Sequence, residues 1–471
     1  MKSLLNSFCV LLLFCVYLVN AREKPNLIYI VCDDLGYGDL GCYGQKVIKT
    51  PRFDQMAKEG LRFTDHYAGH TVCRPSRLVY LTGKHSGHTA IAGNNMHVLP
   101  KGSVTVTSLL KEAGYKTGGV GKWALGHLGS TGHPNKQGFD FFYGYLDQSE
   151  AHDYYPEHLY RNETKERLHG NVNSGKRNVS SEKVTYAHDR LTEEALAFIE
   201  RNHKKPFYLN LTWNIPHTNN EAKGNGQEIP DHGIYKDEKW PEPEKGFAAM
   251  VTLMDKDMGK ILDLLKKLKI EKNTLVIFTS DNGGAGGMSM GPLRGGKGGP
   301  KYEGHMRVPT LTWWPGTVPA GKVSHEIAAT IDLLPSLAKL TGAKVPVDRT
   351  IDGKNVLNVL MGKPGAKSPH EILYYEIDGI RRGKWKLVGG KRRKLELYDL
   401  EQDLSEKTNL AGKHPGILKE LKALLDAHAA RIASDTRPAA FVEHAKPIIS
   451  KPGDLPRLRE YMAQTKTRKK D

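Results

Sequence analysis

Two pairs of adjacent oxygen-bearing side chains, Asp33-Asp34 and Asp281-Asn282, each follow a short apolar run. The runs, "NLIYIVC" and "NTLVIFTS", are typical of buried strands. Carboxylate and amide oxygens are the ligands that Ca²⁺ and Mg²⁺ prefer, so four of them brought together would bind a hard divalent cation. Asp, Asn and Gly are also common turn residues, and "DNGG" taken alone is more typical of a turn.

Three basic side chains stand where they could face an anion. Lys122 follows a glycine at the end of a predicted strand, Lys297 lies in the flexible stretch "RGGKGG", and Arg77 closes "CRPSR". Cations grouped beside a metal ion stabilise a multiply charged anion such as sulfate or phosphate. Taken singly, a lysine is more commonly a solvated surface residue.

The first 21 residues have the pattern of a secretory signal peptide. Lys2 supplies the positive start, "LLNSFCVLLLFCVYLV" is the apolar core, and small residues precede cleavage after Ala21. The apolar run is short for a membrane anchor and a charged "REKPN" follows it. We therefore predict export to a periplasm or the extracellular space, or the secretory and lysosomal route in a eukaryote, with no membrane span.

Three cysteines remain after cleavage, an odd number, so at least one thiol is unpaired. Cys32 and Cys42 could form a local disulfide, or Cys32 could be a small buried hydrophobe at the end of its strand. Cys73 stands beside Arg74 at the start of a predicted helix, where a low-pKa thiolate nucleophile is one interpretation. A free thiolate is, however, a liability for an exported protein.

The composition is that of a soluble globular protein with a basic excess. The 471 residues exceed one average domain, and the net charge of +17 favours polyanionic partners. The basic clusters, such as "RRGKWK", come without a helix-turn-helix, zinc-finger or aromatic RNA-binding signature, so we predict no nucleic-acid partner. An acidic polysaccharide is the alternative polyanion.

The elements that must position these side chains alternate between strand and helix. We predict a helix capped by Thr107 or Ser108 and ended by Gly114, and a long helix over 246–270. The polar groups fall at the carboxyl ends of strands, where α/β sheets bind ligands. The fold class is therefore α/β, a large mixed sheet flanked by helices.

The domain boundaries are predicted from changes in this pattern. Residues 1–21 are the signal peptide and 22–365 the catalytic α/β domain. Short strands and a closing helix over 366–435 predict a smaller antiparallel sheet-plus-helix subdomain, and 436–471 is an extended basic tail.

Taken together, the motifs resemble the formylglycine-dependent sulfatases of the alkaline-phosphatase superfamily. "CRPSRLVYLTGK", which begins at Cys73, is similar to their signature. "VCDDLGYGDLGCYG", "VGKWALG", "NIPH", "SDNGG" and "LRGGKGGPKYEGHMRVP" also match, in the family's order. The resemblance extends from Pro25 to about Leu410 and implies an alkaline-phosphatase-like fold.

The resemblance implies that Cys73 is oxidised to Cα-formylglycine by a maturation machinery that reads cysteine, proline and arginine in the unfolded chain. The hydrated aldehyde attacks sulfur, releases the alcohol and later expels sulfate, a form of covalent catalysis.

The resemblance also implies roles for the other candidate residues, with the metal being Ca²⁺ rather than Mg²⁺. Arg77 would anchor the formylglycine hydroxyl, Lys122 and Lys297 would contact sulfate, and His217 would protonate the leaving alcohol. The implied metal ligands are Asp33, Asp34, Asp281, Asn282 and the group formed from Cys73.

The sequence departs from the family pattern at Ala124, where a histidine is common. His127, three residues later, is a candidate to replace it. In the aromatic- and histidine-rich stretch "QSEAHDYYPEHLY", His152 is a candidate substrate contact, as is Arg294.

The predicted function is removal of sulfate from a sulfated oligo- or polysaccharide. Two alternatives stay open at this point. One is a phosphonate or phosphodiester hydrolase of the same superfamily, and the other is a catalytically silent polyanion-binding protein.

Overall fold

A computed structural model describes residues 24–88, 94, 98–390 and 393–434. The predicted signal peptide and the predicted basic tail lie outside the described residues.

A ten-stranded mixed sheet runs through the protein, and five of its strands form a contiguous parallel block at its centre. In spatial order its strands are β13 (Lys322–Ser324), β2 (Leu61–Phe63), β12 (Thr310–Trp313), β11 (Thr274–Ser280), β1 (Asn26–Cys32), β10 (Phe207–Thr212), β4 (Lys116–Lys122), β5 (Phe141–Tyr145), β6 (His158–Arg161) and β7 (Thr164–Arg167).

Side chains of the central strands alternate between two hydrophobic cores, one on each face of the sheet. In β1, Ile28 and Ile30 belong to one core, while Leu27 and Tyr29 belong to the other. This period of two is what a strand buried on both faces requires. Each fully buried aliphatic side chain contributes about 1.5–3 kcal/mol, so the two cores hold the central strands firmly.

Helices cover both faces of the sheet, which confirms the predicted fold class. The helices are α1 (Pro51–Glu59), α2 (Cys73–Thr82), α3 (Val106–Glu112), α4 (Ala187–Asn202), α5 (Glu242–Lys267), α6 (Glu303–Met306), α7 (Leu333–Thr341), α8 (Leu357–Leu360) and α9 (Pro415–Ser434). Of these, α1, α4 and α5 pack on one face of the sheet, and α2, α3, α7 and α8 pack on the other.

The N-cap of α3 differs from the prediction. Thr105 caps this helix, because its backbone is extended and its hydroxyl accepts a hydrogen bond from the backbone N of Ser108. The Thr105 backbone N in turn donates to the Ser108 hydroxyl oxygen, which completes a capping box. Thr107 lies inside the first turn, and the predicted end near Gly114 agrees with the helix end at Glu112.

A separate four-stranded antiparallel sheet and the helix α9 follow the large sheet, as predicted. The strands of this small sheet are β15 (Ile372–Tyr374), β16 (Gly379–Arg382), β17 (Trp385–Gly390) and β18 (Arg393–Asp399). Two strand pairs complete the fold: β3 (His66–Tyr67) with β14 (Ala328–Ala329), and β8 (Val172–Lys176) with β9 (Val179–Glu182).

A buried carboxylate in α6 joins the small sheet to the rest of the protein. Glu303 accepts hydrogen bonds from Tyr67 at 2.8 Å and from Tyr375 at 2.6 Å, and it pairs with Lys386 at 2.8 Å and Arg307 at 3.1 Å. Burial opposes the charge of Glu303, but Lys386 and Arg307 outweigh it and hold its pKa well below the usual range.

The three cysteines of the described chain are all free thiols, so Cys32 and Cys42 form no disulfide. Cys32 is fully buried at the end of β1, as expected for a small hydrophobe. Within the described residues, no helix combines the length and the apolar character needed to cross a membrane.

Candidate active site

The two acidic pairs meet because their strands are neighbours. Asp33 and Asp34 follow β1, Asp281 and Asn282 follow β11, and these strands pair in parallel with Cys32 opposite Ser280. The backbone N of Asp281 donates to Cys32 O, and the backbone N of Asp34 donates to a carboxylate oxygen of Asp281 at 3.2 Å. The carboxyl ends of two adjacent strands thus bring three carboxylates together.

Cys73 is the first residue of α2 and lies against these carboxylates. Its Sγ is 3.0 Å from Asp33 Oδ1 and 3.8 Å from Asp34 Oδ1. Burial, followed by the charge of Asp33, raises the pKa of this thiol well above its usual value. The interpretation of Cys73 as a low-pKa thiolate is therefore wrong: as cysteine, the group is a neutral donor to Asp33.

Lys122 and Arg77 neutralise the carboxylates from within the protein. Lys122, at the end of β4, lies 2.6 Å from Asp33 Oδ2, and Arg77 in α2 lies 2.9 Å from Asp281 Oδ2. A further hydrogen bond runs from Arg77 Nη1 to the backbone O of Lys122. Both cations are buried, so each is fixed in position by its partners.

Lys297 reaches the same cluster from a glycine-rich loop. Its Nζ lies 2.7 Å from Asp34 Oδ2. Gly298 and Gly299, which follow it, have φ angles of +70° and +77°, a region that favours glycine. The side chain of Lys297 is 20% exposed, whereas those of Lys122 and Asp33 are 0% exposed. Lys297 therefore marks the side of the cluster that faces solvent.

His217 is neutral in this arrangement. Its Nδ1 lies 2.6 Å from the backbone O of Thr218, and its Nε2 lies 2.8 Å from Lys297 Nζ. The first contact requires a proton on Nδ1, and the second requires a lone pair on Nε2 to accept from the ammonium. Burial lowers the pKa of His217 to about 3, which agrees with this tautomer.

The cluster has the donors and the charge for a hard divalent cation. Ligand atoms of Asp33, Asp34, Cys73 and His217 all lie within 4.8 Å of one another. The Oδ1 atom of Asn282 is buried without a hydrogen-bond partner, which leaves a free oxygen ligand. Burial and the charge of Asp33 raise the pKa of Asp281 to about 7, a sign of crowded carboxylates. These donors fit Ca²⁺.

The charges of the cluster balance without any bound group. Three carboxylates face three cations. A divalent cation would add two positive charges, and the single negative charge of a sulfate ester would offset one of them. Either group bound alone would leave its own charge unpaired in a site that excludes water, and an unpaired buried charge is costly. The three carboxylates belong to Asp33, Asp34 and Asp281, and the three cations are Arg77, Lys122 and Lys297.

The other three predicted substrate contacts differ in position. The ring of His152 stacks on that of His217, with centroids 4.4 Å apart, which brings it to the cluster. His127 lies in a turn, and its Nδ1 atom is 3.0 Å from the backbone O of Leu128. The guanidinium of Arg294 lies 3.7 Å from the ring centroid of Tyr302. In the described part of the chain, no hydrogen bond or ion pair joins His127 or Arg294 to the cluster, and their contact with substrate stays a prediction.

Ala124 lies just after β4, in a left-handed backbone conformation with φ of +67°. Its backbone N donates to Leu146 O, and its side chain is buried. A methyl group can contribute neither a hydrogen bond nor a charge to the neighbouring cluster. The polar contacts of the cluster are made instead by Lys122, Lys297 and His217.

Three residues around the cluster were not predicted from the sequence. Glu221 holds His152 through a 3.0 Å contact with Nδ1. Arg74 and Gln148 are 4% and 6% exposed and carry buried polar atoms without partners. The position of Arg74 beside Cys73 was a usable signal, whereas nothing in the sequence indicates that Gln148 is buried.

Comparison with known proteins identifies the family. A model of the sulfatase family matches residues 25–343, more than half of the chain. The chain belongs to the sulfatase family. It is therefore an enzyme, a sulfatase, and the resemblance drawn from its motifs is confirmed. A second family model, N-sulphoglucosamine sulphohydrolase C-terminal, matches residues 300–431.

Individual relatives agree with this assignment. The chain is 34% identical over 400 residues to N-acetylgalactosamine-6-sulfatase of Canis lupus familiaris. The match covers 76% of this chain and 70% of that protein. The crystal structure of Ps i-CgsB in complex with k-i-k-neocarrahexaose is 30% identical and superposes with a TM-score of 0.75 over 90% of this chain and 96% of that one. A glycosaminoglycan-metabolism protein of Bacteroides thetaiotaomicron, BT33336S-sulf, is 27% identical, with a TM-score of 0.72 over 87% of this chain and all of that one.

Proposed function

We propose that this sulfatase is exported and removes sulfate from a sulfated oligo- or polysaccharide, using Ca²⁺ and a Cα-formylglycine made from Cys73. The observation that carries the proposal is the grouping of Cys73 with a metal-type ligand set and three buried or half-buried cations. The carbohydrate substrate is supported by the relatives, which include an N-acetylgalactosamine-6-sulfatase and a protein in complex with a neocarrahexaose.

The metal would be held by oxygen atoms at the carboxyl ends of β1 and β11. Ca²⁺, when bound there, supplies a positive charge that offsets negative charge on a sulfate oxygen. The unpartnered Oδ1 of Asn282 supports this site, and Asp34 Oδ1, which accepts from the Asn282 amide at 2.7 Å, orients that amide. The ligands are Asp33, Asp34, Asp281, Asn282 and the group formed from Cys73.

Formylglycine, when formed at Cys73, supplies an aldehyde hydrate that accepts sulfate and then releases it. Cys73 is 0% exposed at the start of α2, so an enzyme has no access to it in the folded protein. Oxidation must therefore take place on the unfolded chain, as the maturation machinery of the family requires. Arg77, on the same helix, would hold the new hydroxyl groups.

The cations bind and orient the sulfate. Lys297 is the half-buried member, so the sulfate enters past it and lies between Lys297 and Lys122. Other members of the family commonly have a histidine at the position of Ala124, and that histidine also contacts the sulfate. In this chain Ala124 has no imidazole, so the two lysines make the sulfate contacts without it. Fixed cations in a water-poor site stabilise developing negative charge strongly, since no solvent has to reorganise.

Proton transfer to the leaving alcohol falls to His217. Its ring is neutral with the lone pair on Nε2, so it must first take a proton from solvent before it can give one to the alcohol. Lys297 stays charged for sulfate binding, because burial opposes its charge but Asp34 outweighs burial and raises its pKa, and its Nζ, 2.8 Å away, orients Nε2. The His217 Nδ1–H bond to Thr218 O keeps the ring oriented while Nε2 exchanges its proton.

Export and domain division complete the proposal. Residues 1–21 would be cleaved as the signal peptide, so that the mature chain begins at Arg22. The catalytic domain would occupy 22–365, the C-terminal subdomain 366–435 and the basic tail 436–471. N-terminal sequencing of the secreted protein tests the cleavage, and a chain that retains its first 21 residues would refute it.

Parallel assays on protein produced with a formylglycine-generating machinery test the proposed function. We expect release of sulfate from 4-nitrocatechol sulfate and from sulfated saccharides, with much slower hydrolysis of bis(4-nitrophenyl) phosphate. Cys73→Ala should abolish turnover and leave the fold intact. Faster hydrolysis of the phosphodiester would favour the alternative hydrolase, and no turnover of either ester by protein that carries formylglycine would indicate a silent polyanion-binding protein.

A further inference from the structure

Arg74 is a buried cation that makes no ion pair with any residue that the structure describes. Its side chain is 4% exposed, and its Nε and Nη1 atoms have no hydrogen-bond partner. No carboxylate of a described residue lies within 4.0 Å of its guanidinium. Asp147 acts on it electrostatically, but Asp147 Oδ1 is already engaged by Ser149 and Glu150. Asp147 compensates this charge without a direct hydrogen bond, and a buried cation with unpartnered donors is costly, so the guanidinium calls for a ligand.

Two further buried side chains with unpartnered polar atoms lie on the segment 147–152, which begins at Asp147. Both amide atoms of Gln148 and the Nε2 atom of His152 lack partners, and these residues are 6% and 8% exposed. Asp147, at the start of the segment, interacts with Arg74, and His152, near its end, stacks on His217. The segment therefore runs from Arg74 to the catalytic cluster.

The unpartnered atoms complement a sugar with an acidic group. The Arg74 guanidinium donates to an anion, and the Gln148 amide both donates and accepts. His152 Nδ1 donates to Glu221, which leaves Nε2 as an acceptor for a hydroxyl group. More than nine in ten buried polar groups are satisfied in native proteins, so these atoms call for a partner, which a saccharide can supply.

The anion that Arg74 would bind differs from the sulfate under attack. Neighbouring residues of a helix do not face each other, so the side chains of Arg74 and Cys73 leave α2 in different directions. The described ion pairs of the catalytic cluster involve Arg77, Lys122 and Lys297 and leave Arg74 out. The charge of Arg74 is thus additional to the three cations that face the metal ligands.

We propose that Arg74, Gln148 and His152 form a subsite for a second anionic group on the saccharide that carries the scissile sulfate. This inference rests on the proposed function for the position of that sulfate. The anion is a sulfate or a carboxylate, since both accept the paired hydrogen bonds that a guanidinium offers. The substrate is accordingly a saccharide with two negative charges close together.

Binding to the inactive Cys73→Ala protein tests the subsite without turnover. The probes are N-acetylgalactosamine 6-sulfate, the 4,6-disulfate of the same sugar, and the 6-sulfate joined to glucuronic acid, each titrated by calorimetry. We expect one of the doubly charged probes to bind at least about tenfold more tightly than the first, as a charge-assisted hydrogen-bonded pair provides. Which of the two gains identifies the second anion as sulfate or carboxylate.

Arg74→Gln in the same background should remove this gain, and Arg74→Lys should retain part of it. Arg349→Gln, at a surface arginine whose partner is Asp348, should keep the gain in full. Gln148→Leu provides a second test on another element and should weaken binding of the preferred probe by about fivefold. Equal affinity for all three probes, or a gain that survives Arg74→Gln, would overturn the subsite. Hydrolysis of any probe by the wild-type protein bears separately on the proposed function.

Discussion

The imidazole rings of His152 and His217 lie nearly parallel, with an interplanar angle of 13° and centroids 4.4 Å apart. Glu221 holds the outer ring, while Thr218 and Lys297 hold the inner one. The Nε2 atom of His217 is thereby directed at the Lys297 ammonium. This geometry fixes the orientation of His217, the residue that we propose as the proton donor.

His217→Ala should lower kcat for a sulfated saccharide by about 10²–10⁴-fold, the usual contribution of a general acid. The loss should be smaller for 4-nitrocatechol sulfate, because a phenolate leaves without help from an acid. Sulfate release from both substrates by wild type and variant measures the two ratios. His203→Ala, at the end of α4, is the control. Equal losses on both substrates would contradict proton donation by His217.

Calcium should stabilise the folded protein through the ligand set around Asn282. A bound cation present at a hundred times its Kd raises the free energy of unfolding by about 2.7 kcal/mol. The Tm should therefore fall when EDTA replaces Ca²⁺. Asn282→Ala removes the unpartnered Oδ1 and should raise the Kd for Ca²⁺ by at least about tenfold. Thermal unfolding across a calcium series measures this, with Asn173→Ala, at an exposed hairpin position, as the control. A wild-type Tm that is the same in Ca²⁺ and EDTA would count against the site.

Lys386→Met should destabilise the protein by about 3–5 kcal/mol, because it leaves two buried carboxylates without their shared cation. Lys386 lies 2.8 Å from Glu303 and 3.0 Å from Glu406, and it is 0% exposed. Urea unfolding measures the loss. Lys367→Met removes an 82% exposed partner of Glu326 and should change stability by less than about 1 kcal/mol. A similar change in both variants would show that the buried network adds nothing.

Acid should weaken the contact of α9 with the loop after α2. His428 stacks on Tyr374 at 3.7 Å, and its ring centroid lies 4.9 Å from that of His85; Asp352 and Arg431 also face this group. Burial lowers the pKa of His428 to about 3 and that of His85 to about 4. Because the folded pKa lies below the unfolded value of about 6.5, the unfolded chain takes up the proton first as pH falls.

Stability from His428 is therefore complete above about pH 6.5 and is lost as pH falls toward the folded pKa. Lowering the pH from 7.5 to 5.0 should reduce the free energy of unfolding by about 2 kcal/mol through His428 alone. His428→Phe keeps the stack on Tyr374 and cannot be protonated, so its stability should fall less over the same range. Urea unfolding at both pH values measures the difference, with His169→Phe, at an exposed position, as the control. An unchanged pH dependence in His428→Phe would refute the argument.

Local patterns in the sequence predict much of the fold, because periodicity and strand-end polarity are local properties. The apolar runs before Asp33 and Asp281 are strands, and the long helix predicted over 246–270 is α5 with its ends moved by a few residues. The spatial order of the strands is not a local property. Only the order β11-β1-β10-β4 brings these carboxylates to Lys122 and His217. That order was accessible only through the resemblance to the family.

The site shows the same division between local and non-local information. Residue type and motif position mark Cys73 and Arg77 as chemically important. The neutral thiol, by contrast, depends on burial and on Asp33, which a sequence does not reveal. The unpartnered state of Arg74 and Gln148 likewise depends on which groups the fold fails to place beside them.

The central claim is that sulfate release depends on oxidation of Cys73. Preparations with different degrees of conversion can be made by varying the amount of co-expressed maturation enzyme. Mass spectrometry of the Cys73 peptide gives the converted fraction, and ion chromatography gives the rate of sulfate release from a sulfated saccharide. We predict a rate proportional to the converted fraction that extrapolates to zero for unmodified cysteine. A rate that is independent of that fraction would contradict the account.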